Sequence, residues 1–179
     1  MNGSQYIWIL RGLSLMLTWG TLEGVLLENV ALGRKAEQSS SIYTGTAEKA
    51  VDGNRDPRYE NGFCAHTKKE SNPWWRVELQ DVYKVTAVMV TNRDKVAERL
   101  DNAEIWIGLS LKINDAKNFR CGVIPHIPEG HTVYISCSGL EGRYVTVLLR
   151  GAERTLTLCE VEVFHSEDGK VPCPLPPLF

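Results

Sequence analysis

The sequence predicts one all-β domain of the sandwich class, preceded by an apolar leader and followed by a proline-rich tail. Three observations carry this. Short runs rich in β-branched and aromatic residues recur, Gly, Asn and Asp turns separate them, and helix signals are scarce. The 179 residues are enough for a single domain with a sizeable core.

The strands are expected in the following order. Trp74-Trp75-Arg76-Val77-Glu78-Leu79 alternates apolar and polar side chains. Lys84 to Thr91 is a β-branched run that reads as buried on both faces. Glu104 to Gly108, Thr132 to Ser136, Arg143 to Leu149 and Cys159 to Phe164 continue the pattern. Both Trp74 and Trp75 are assigned to the core, and Thr46 to Val51 to a single helical turn. Lys68-Lys69-Glu70 reads as a solvated rim.

The domain is placed at 28–165. Residues 1–24 read as a secretory leader. Tyr6 to Leu10 and Leu13 to Trp19 are apolar, but Arg11 interrupts them and no small-x-small cut is visible. The stretch is too broken for a transmembrane span. Residues 166–179 form a tail, Val171-Pro172-Cys173-Pro174-Leu175-Pro176-Pro177 at its centre, that cannot join a sheet. The formal net charge is −2 and the pI about 6.1, so the electrostatic footprint of a nucleic-acid binder is absent.

The chain has five cysteines and no CxxC pair, which argues against a zinc ribbon or thioredoxin site. Behind a secretory leader, disulfides are the better reading. Four cysteines allow three pairings and a fifth is left over. Cys121 and Cys137 flank a local excursion rich in Gly and Pro. If they pair, Cys64 and Cys159 join the early and late parts of the domain, and Cys173 remains as an interchain link or a free thiol.

Chemistry concentrates between Ala50 and Glu104. An oxygen-rich turn (Asp52, Gly53, Asn54, Asp56) is followed by His66 and then by Arg93 and Arg99, six residues apart. A planar guanidinium presents several fixed N–H donors, which suits neighbouring hydroxyls. No paired carboxylates or activated nucleophile accompany them, so the pattern suits holding a sugar rather than cleaving one. An enzyme is not expected.

Several segments resemble the F-type lectin (fucolectin) family. They are Asn29-Val30-Ala31-Leu32-Gly33-Arg34-Lys35-Ala36-Glu37-Gln38-Ser39-Ser40, Ala50 to Asn54, Cys64-Ala65-His66-Thr67, Asn72 to Val77, Glu98-Arg99-Leu100 and Cys159-Glu160. The resemblance implies a secreted, extracellular, calcium-containing jelly-roll/discoidin-like β-sandwich that recognises terminal L-fucose on foreign or host glycans, a role in innate immunity. It implies sugar contacts from His66, Arg93 and Arg99. Asp94 would brace the arginines, and Tyr59 would meet the sugar methyl. It implies structural calcium held by the Asp52 and Glu160 carboxylates and by carbonyls of Lys49, Asn54, Phe63 and Cys159, beside a Cys64–Cys159 bridge. The implied partners are fucosylated glycans, with no nucleic acid, membrane contact only through glycans, and a homo-oligomer compatible with the chain.

The chain departs from the family pattern in two places. The family commonly carries two adjacent, mutually bonded cysteines between the arginines, where this chain reads Asp94-Lys95-Val96-Ala97-Glu98. Phe63 stands where the family usually has Ser. The first departure motivates an alternative reading, a discoidin-like adhesion or membrane-binding module that has lost the sugar.

Overall fold

The computed structural model describes residues 28–167, so the leader, the tail beyond Glu167 and Cys173 lie outside the described residues. No helix among those residues is long and apolar enough to cross a membrane.

Eight strands form the fold of the described residues. They are β1 (Ala36–Gln38), β2 (Ala65–His66), β3 (Trp74–Thr91), β4 (Glu104–Gly108), β5 (Asn118–Val123), β6 (Thr132–Leu148), β7 (Thr157–Leu158) and β8 (Glu160–His165). All pairings are antiparallel. The main sheet runs β1-β3-β6-β4-β5, with β8 also on β3, and β2 pairs with β7 separately.

Two long strands organise the sandwich. The first half of β3 (from Trp74) and the last part of β6 (to Leu148) pair with each other and carry β1 and β4 on their flanks. The second half of β3, from Val85 to Thr91, carries β8. Between Glu78 and Tyr83 the register slips, and Gln80 has a positive φ of 74°. The sequence predicts two strands within each of β3 and β6; the chain instead passes through such irregularities without leaving the sheet. The expected turn near Thr46 is a short 3-10 helix, Ala47–Ala50.

The core fills with inward side chains from these strands. Trp75, Val77, Leu79, Val88, Val90, Ile105, Ile107, Val145 and Val147 are fully buried. The Trp75 indole N–H donates to the Ala47 carbonyl (2.9 Å), so its polar end is satisfied inside the core. Burial from Val85 through Thr91 is continuous, as the β-branched run predicts. Trp74 corrects its assignment: strand alternation turns it to the other face, where it is only half-buried and the Arg76 guanidinium lies 4.7 Å from its ring. Glu70 is likewise no free rim residue, since the Ser39 and Ser40 hydroxyls both donate to its carboxylate at 2.6 Å.

Both expected disulfides are present, Cys64–Cys159 and Cys121–Cys137. The first closes a separation of 95 residues and the second one of 16. In the chain-entropy model they remove roughly 4–5 and about 3 kcal/mol of unfolded-state freedom. The long bridge fixes β2, which carries His66, to the approach of β8.

Candidate functional site

His66 ends the two-residue strand β2 and is mostly buried. Its position is set from three sides. Its N–H donates to the Gly45 carbonyl (3.0 Å), and its carbonyl accepts from Ile42 (3.1 Å). The Gln38 amide donates to the Gly45 carbonyl (2.8 Å), stitching β1 to the same turn. Gly45 is required by close approach, because a Cβ there would stand 2.7 Å from the His66 Cβ.

The ring of His66 is oriented at both nitrogens. Nδ1 lies 2.7 Å from the Thr67 carbonyl, and Nε2 lies 2.9 Å from an Arg99 Nη1. A carbonyl can only accept and a guanidinium can only donate. The ring is therefore neutral, with its proton on Nδ1 and the Nε2 lone pair facing Arg99. Burial, and then the positive charges of Arg99 and Arg93, hold its pKa below the ordinary value of 6.5, while the bond to Thr67 opposes them.

Arg93 lies two residues beyond the end of β3. It is 8% exposed, its guanidinium lies 4.4 Å from the Tyr59 ring centroid, and its Nε is buried without a hydrogen-bond partner. Tyr59 also meets the His66 ring, with centroids 5.2 Å apart. The structure thus brings His66, Arg99, Arg93 and Tyr59 into one cluster. A buried, unpartnered N–H costs about 1–3 kcal/mol, which a ligand oxygen would relieve.

The Asp94 charge acts on Arg93 through space, favouring its charged form, without a direct contact. Neither arginine forms an ion pair with it among the described residues, and its Oδ1 is buried without a partner. Its backbone N–H instead donates to the Pro57 carbonyl (3.0 Å), tying the arginine loop to the Tyr59 loop.

Three bracing features escaped the sequence reading. Asn92 is fully buried, and its side-chain amide donates to the carbonyls of Ala97 (3.0 Å) and Ile127 (2.9 Å) while its Oδ1 accepts from the Arg93 N–H. It closes the loop from within. Lys95 and Glu60 form an ion pair of 2.8 Å between the two loops. Val96 adopts a positive φ of 55°, costly for a β-branched residue, and starts the 3-10 turn Ala97–Leu100 that aims Arg99. Only the adjacency of Asn to Arg93 hinted at any of these.

A second polar cluster adjoins the long disulfide. Glu160 is 1% exposed; its Oε1 accepts from the Gly53 N–H (3.1 Å) and its Oε2 is buried without a partner. Burial first, and then the Asp52 charge, push its pKa up to about 8. Among the described residues the carbonyls of Lys49, Asn54, Phe63 and Cys159 accept no backbone hydrogen bond. No group of three or more His, Cys, Asp or Glu side chains suited to a metal occurs among them. Any ion here would rest on two carboxylates and main-chain oxygens.

A discoidin-like family model, described as a NedA-like, galactose-binding domain, matches residues 49–147. The fucolectin of Anguilla anguilla is 43% identical over 148 residues, covering 79% of this chain and 93% of that protein. The chain belongs to the fucolectin family. A structure of a fucolectin from Morone saxatilis (striped bass) serum superposes with a TM-score of 0.74 at 47% identity, covering 78% of this chain and 47% of that one. The chain thus spans about half of that protein. A fucose binding module of Streptococcus pneumoniae gives 0.68 at 31% identity, covering 79% of this chain and all of that one. The β-sandwich expected from the sequence is therefore shared with these two structures.

Proposed function

We propose that this chain is a secreted, calcium-containing lectin that holds a terminal L-fucose between His66, Arg99 and Arg93. The observation that carries the reading is the pairing of two kinds of group. Arg93 and Arg99 supply charged donors, one of them buried and unpartnered, and the neutral His66 supplies an acceptor lone pair. A sugar hydroxyl entering between His66 and Arg99 donates to Nε2 and accepts from the guanidinium. One internal bond is thereby exchanged for two. Arg93 turns its free Nε to a further oxygen. Tyr59, held beneath the Arg93 guanidinium, offers an apolar face to the sugar methyl. Nothing in this cluster is arranged to break a glycosidic bond, and its output is binding.

The proposal extends to the ion. What supports calcium is the orphaned Glu160 oxygen beside Asp52, with four main-chain carbonyls free of backbone bonds, a set of six hard oxygens. When bound, calcium supplies charge neutralisation for Glu160. The residues themselves tie the Asp52 turn to the Cys64–Cys159 bridge, and that bridge adjoins β2. Two disulfides support an oxidising, extracellular setting.

Three charge-assisted hydrogen bonds at about 1.5–3 kcal/mol each, less several kcal/mol of lost motion, give roughly micromolar to millimolar affinity for one site. Titration of the purified chain with methyl α-L-fucoside, with and without a chelator, tests the reading. Saturable binding that Arg93→Ala abolishes is the expected result. No binding at tens of millimolar fucoside would remove the proposal.

A further inference from the structure

A cavity of about 460 Å3 lies on the outer face of the sheet and shares no residue with the His66 cluster. Trp74, Arg76, Lys112, Ile113, Asn114 and Asp115 line it. Its size falls within the range of small-ligand pockets. One wall is the start of β3, and the other is the loop between β4 and β5.

That loop is held in a fixed shape by its own polar side chains. The Asn118 amide donates to the carbonyls of Ser110 (3.0 Å) and Lys112 (2.8 Å), and its Oδ1 accepts from the Ser110 N–H (3.1 Å). The Asp115 carboxylate accepts from the Ser110 hydroxyl (2.9 Å) and the Lys117 N–H (3.0 Å). Asp115 is thus spent within the loop. Arg76 spans the gap, donating to the Leu111 carbonyl (2.8 Å).

Arg76 is the unusual residue here, a cation only 8% exposed. Among the described residues its one carboxylate partner is Glu37, at 3.4 Å, and Glu37 is about half-exposed and also bonds Lys35 at 3.2 Å. Of the five N–H donors on a guanidinium, the structure occupies two. The Trp74 and Tyr144 rings lie 4.7 and 5.9 Å from the Arg76 guanidinium, so cation–π contact holds it in place while its anionic neutralisation stays partial. Lys112, exposed on the loop, adds a second positive charge at the rim. The half-buried Trp74 indole and Ile113 add an apolar wall.

We propose that this cavity is a second saccharide site that takes an anionic sugar ring, with the ring's C–H face against Trp74 and its carboxylate or sulfate on Arg76 and Lys112. One chain would then hold two different sugars at sites that share no residue, with no need for a second copy.

The test titrates the purified full chain with methyl glucuronide, galactose 6-sulfate and neutral methyl galactoside, by calorimetry and by ligand-observed NMR. The two anionic arms separate carboxylate from sulfate as the preferred group. At least one anionic sugar should saturate, with affinity falling as salt rises. The neutral galactoside should bind at least tenfold more weakly, since one charged hydrogen bond contributes about 1.5–3 kcal/mol. Lys112→Ala lies on the exposed loop and spares the core. It should weaken the anionic sugar roughly tenfold and leave fucoside binding unchanged. Arg93→Ala should do the reverse. Trp74→Ala, checked for an unchanged melting profile, should abolish the anionic arm alone. The proposal falls if no anionic sugar saturates, if the neutral sugar binds equally well, or if Lys112→Ala changes nothing. None of these outcomes depends on whether fucose binds at the His66 cluster.

Discussion

Arg99→Ala separates a binding role from a structural one. In the free protein Arg99 gives one hydrogen bond of 2.9 Å to the neutral His66 ring. Arg99 is only half-buried, so water can replace that bond when the side chain is cut. The folding cost should be within about 1 kcal/mol, a shift of a few degrees in Tm. In the proposed sugar complex the same guanidinium would donate charged bonds to a hydroxyl that itself donates a hydrogen bond to His66 Nε2. Losing one charged bond costs about 1.5–3 kcal/mol, or roughly 10- to 150-fold in Kd. Arg99→Lys keeps the charge and loses the planar fork, so its affinity should lie between the two. Calorimetric titration with methyl α-L-fucoside reads Kd, and a thermal melt of the same samples reads stability. A Kd within about twofold of the parent protein, at unchanged Tm, would refute the reasoning. A collapse in Tm that tracks the loss of affinity would make Arg99 a structural residue.

Acid should weaken fucoside binding through His66. Its folded pKa is depressed below 6.5, so the unfolded chain takes up its proton first. Its contribution to stability is complete above about 6.5 and is lost as pH falls through the folded value. Protonation also removes the Nε2 acceptor, so affinity should be flat above neutrality and fall below that window, as a titration from pH 8 to pH 4 would show. Chelation should lower Tm of the parent protein, and added calcium should restore it. Glu160→Gln, which removes the orphaned charge, should make the melt indifferent to both. Gly45→Ala should displace β2, because the new methyl meets the His66 Cβ at 2.7 Å. Fucoside affinity should drop at least tenfold with a fold still cooperative by melting, about what one lost charged bond gives.

Much of the fold was legible because burial leaves a period in the sequence. The run from Val85 to Thr91 sits between two neighbouring strands, β6 and β8, and reads as continuous apolar chain for that reason. Alternation should have separated Trp74 from Trp75, and assigning both to the core missed it. Strand β5 was missed because Asn118-Phe119-Arg120-Cys121-Gly122-Val123 lies at the sheet edge, with Phe119 exposed and no alternating face to mark it. At the candidate site, the donor chemistry of His66, Arg93 and Arg99, without paired carboxylates, pointed to hydroxyl recognition. The residues that aim them did not announce themselves. Asn92 reaches Ile127, and Lys95 reaches Glu60, each across 35 residues. Those distances are set by how loops stack on the sandwich, which local sequence does not encode. The same limit applies to Asp94, for which the resemblance implied a brace on the arginines and which forms no direct ion pair with either among the described residues.

The unbroken passage of β3 and β6 through the sheet has a consequence for how the molecule yields. An ordinary sandwich joined by loops can lose one layer while the other persists. Here the register slip after Glu78 bends a beam without cutting it, and each half of the sheet is anchored on the same two strands. Opening either half strips partners from the other. Amide protons along Trp75 to Val77 and Val88 to Val90 should therefore exchange together, through one global event. Cleavage by proteases should be confined to loops such as the one between β4 and β5, which can be severed without parting the beams.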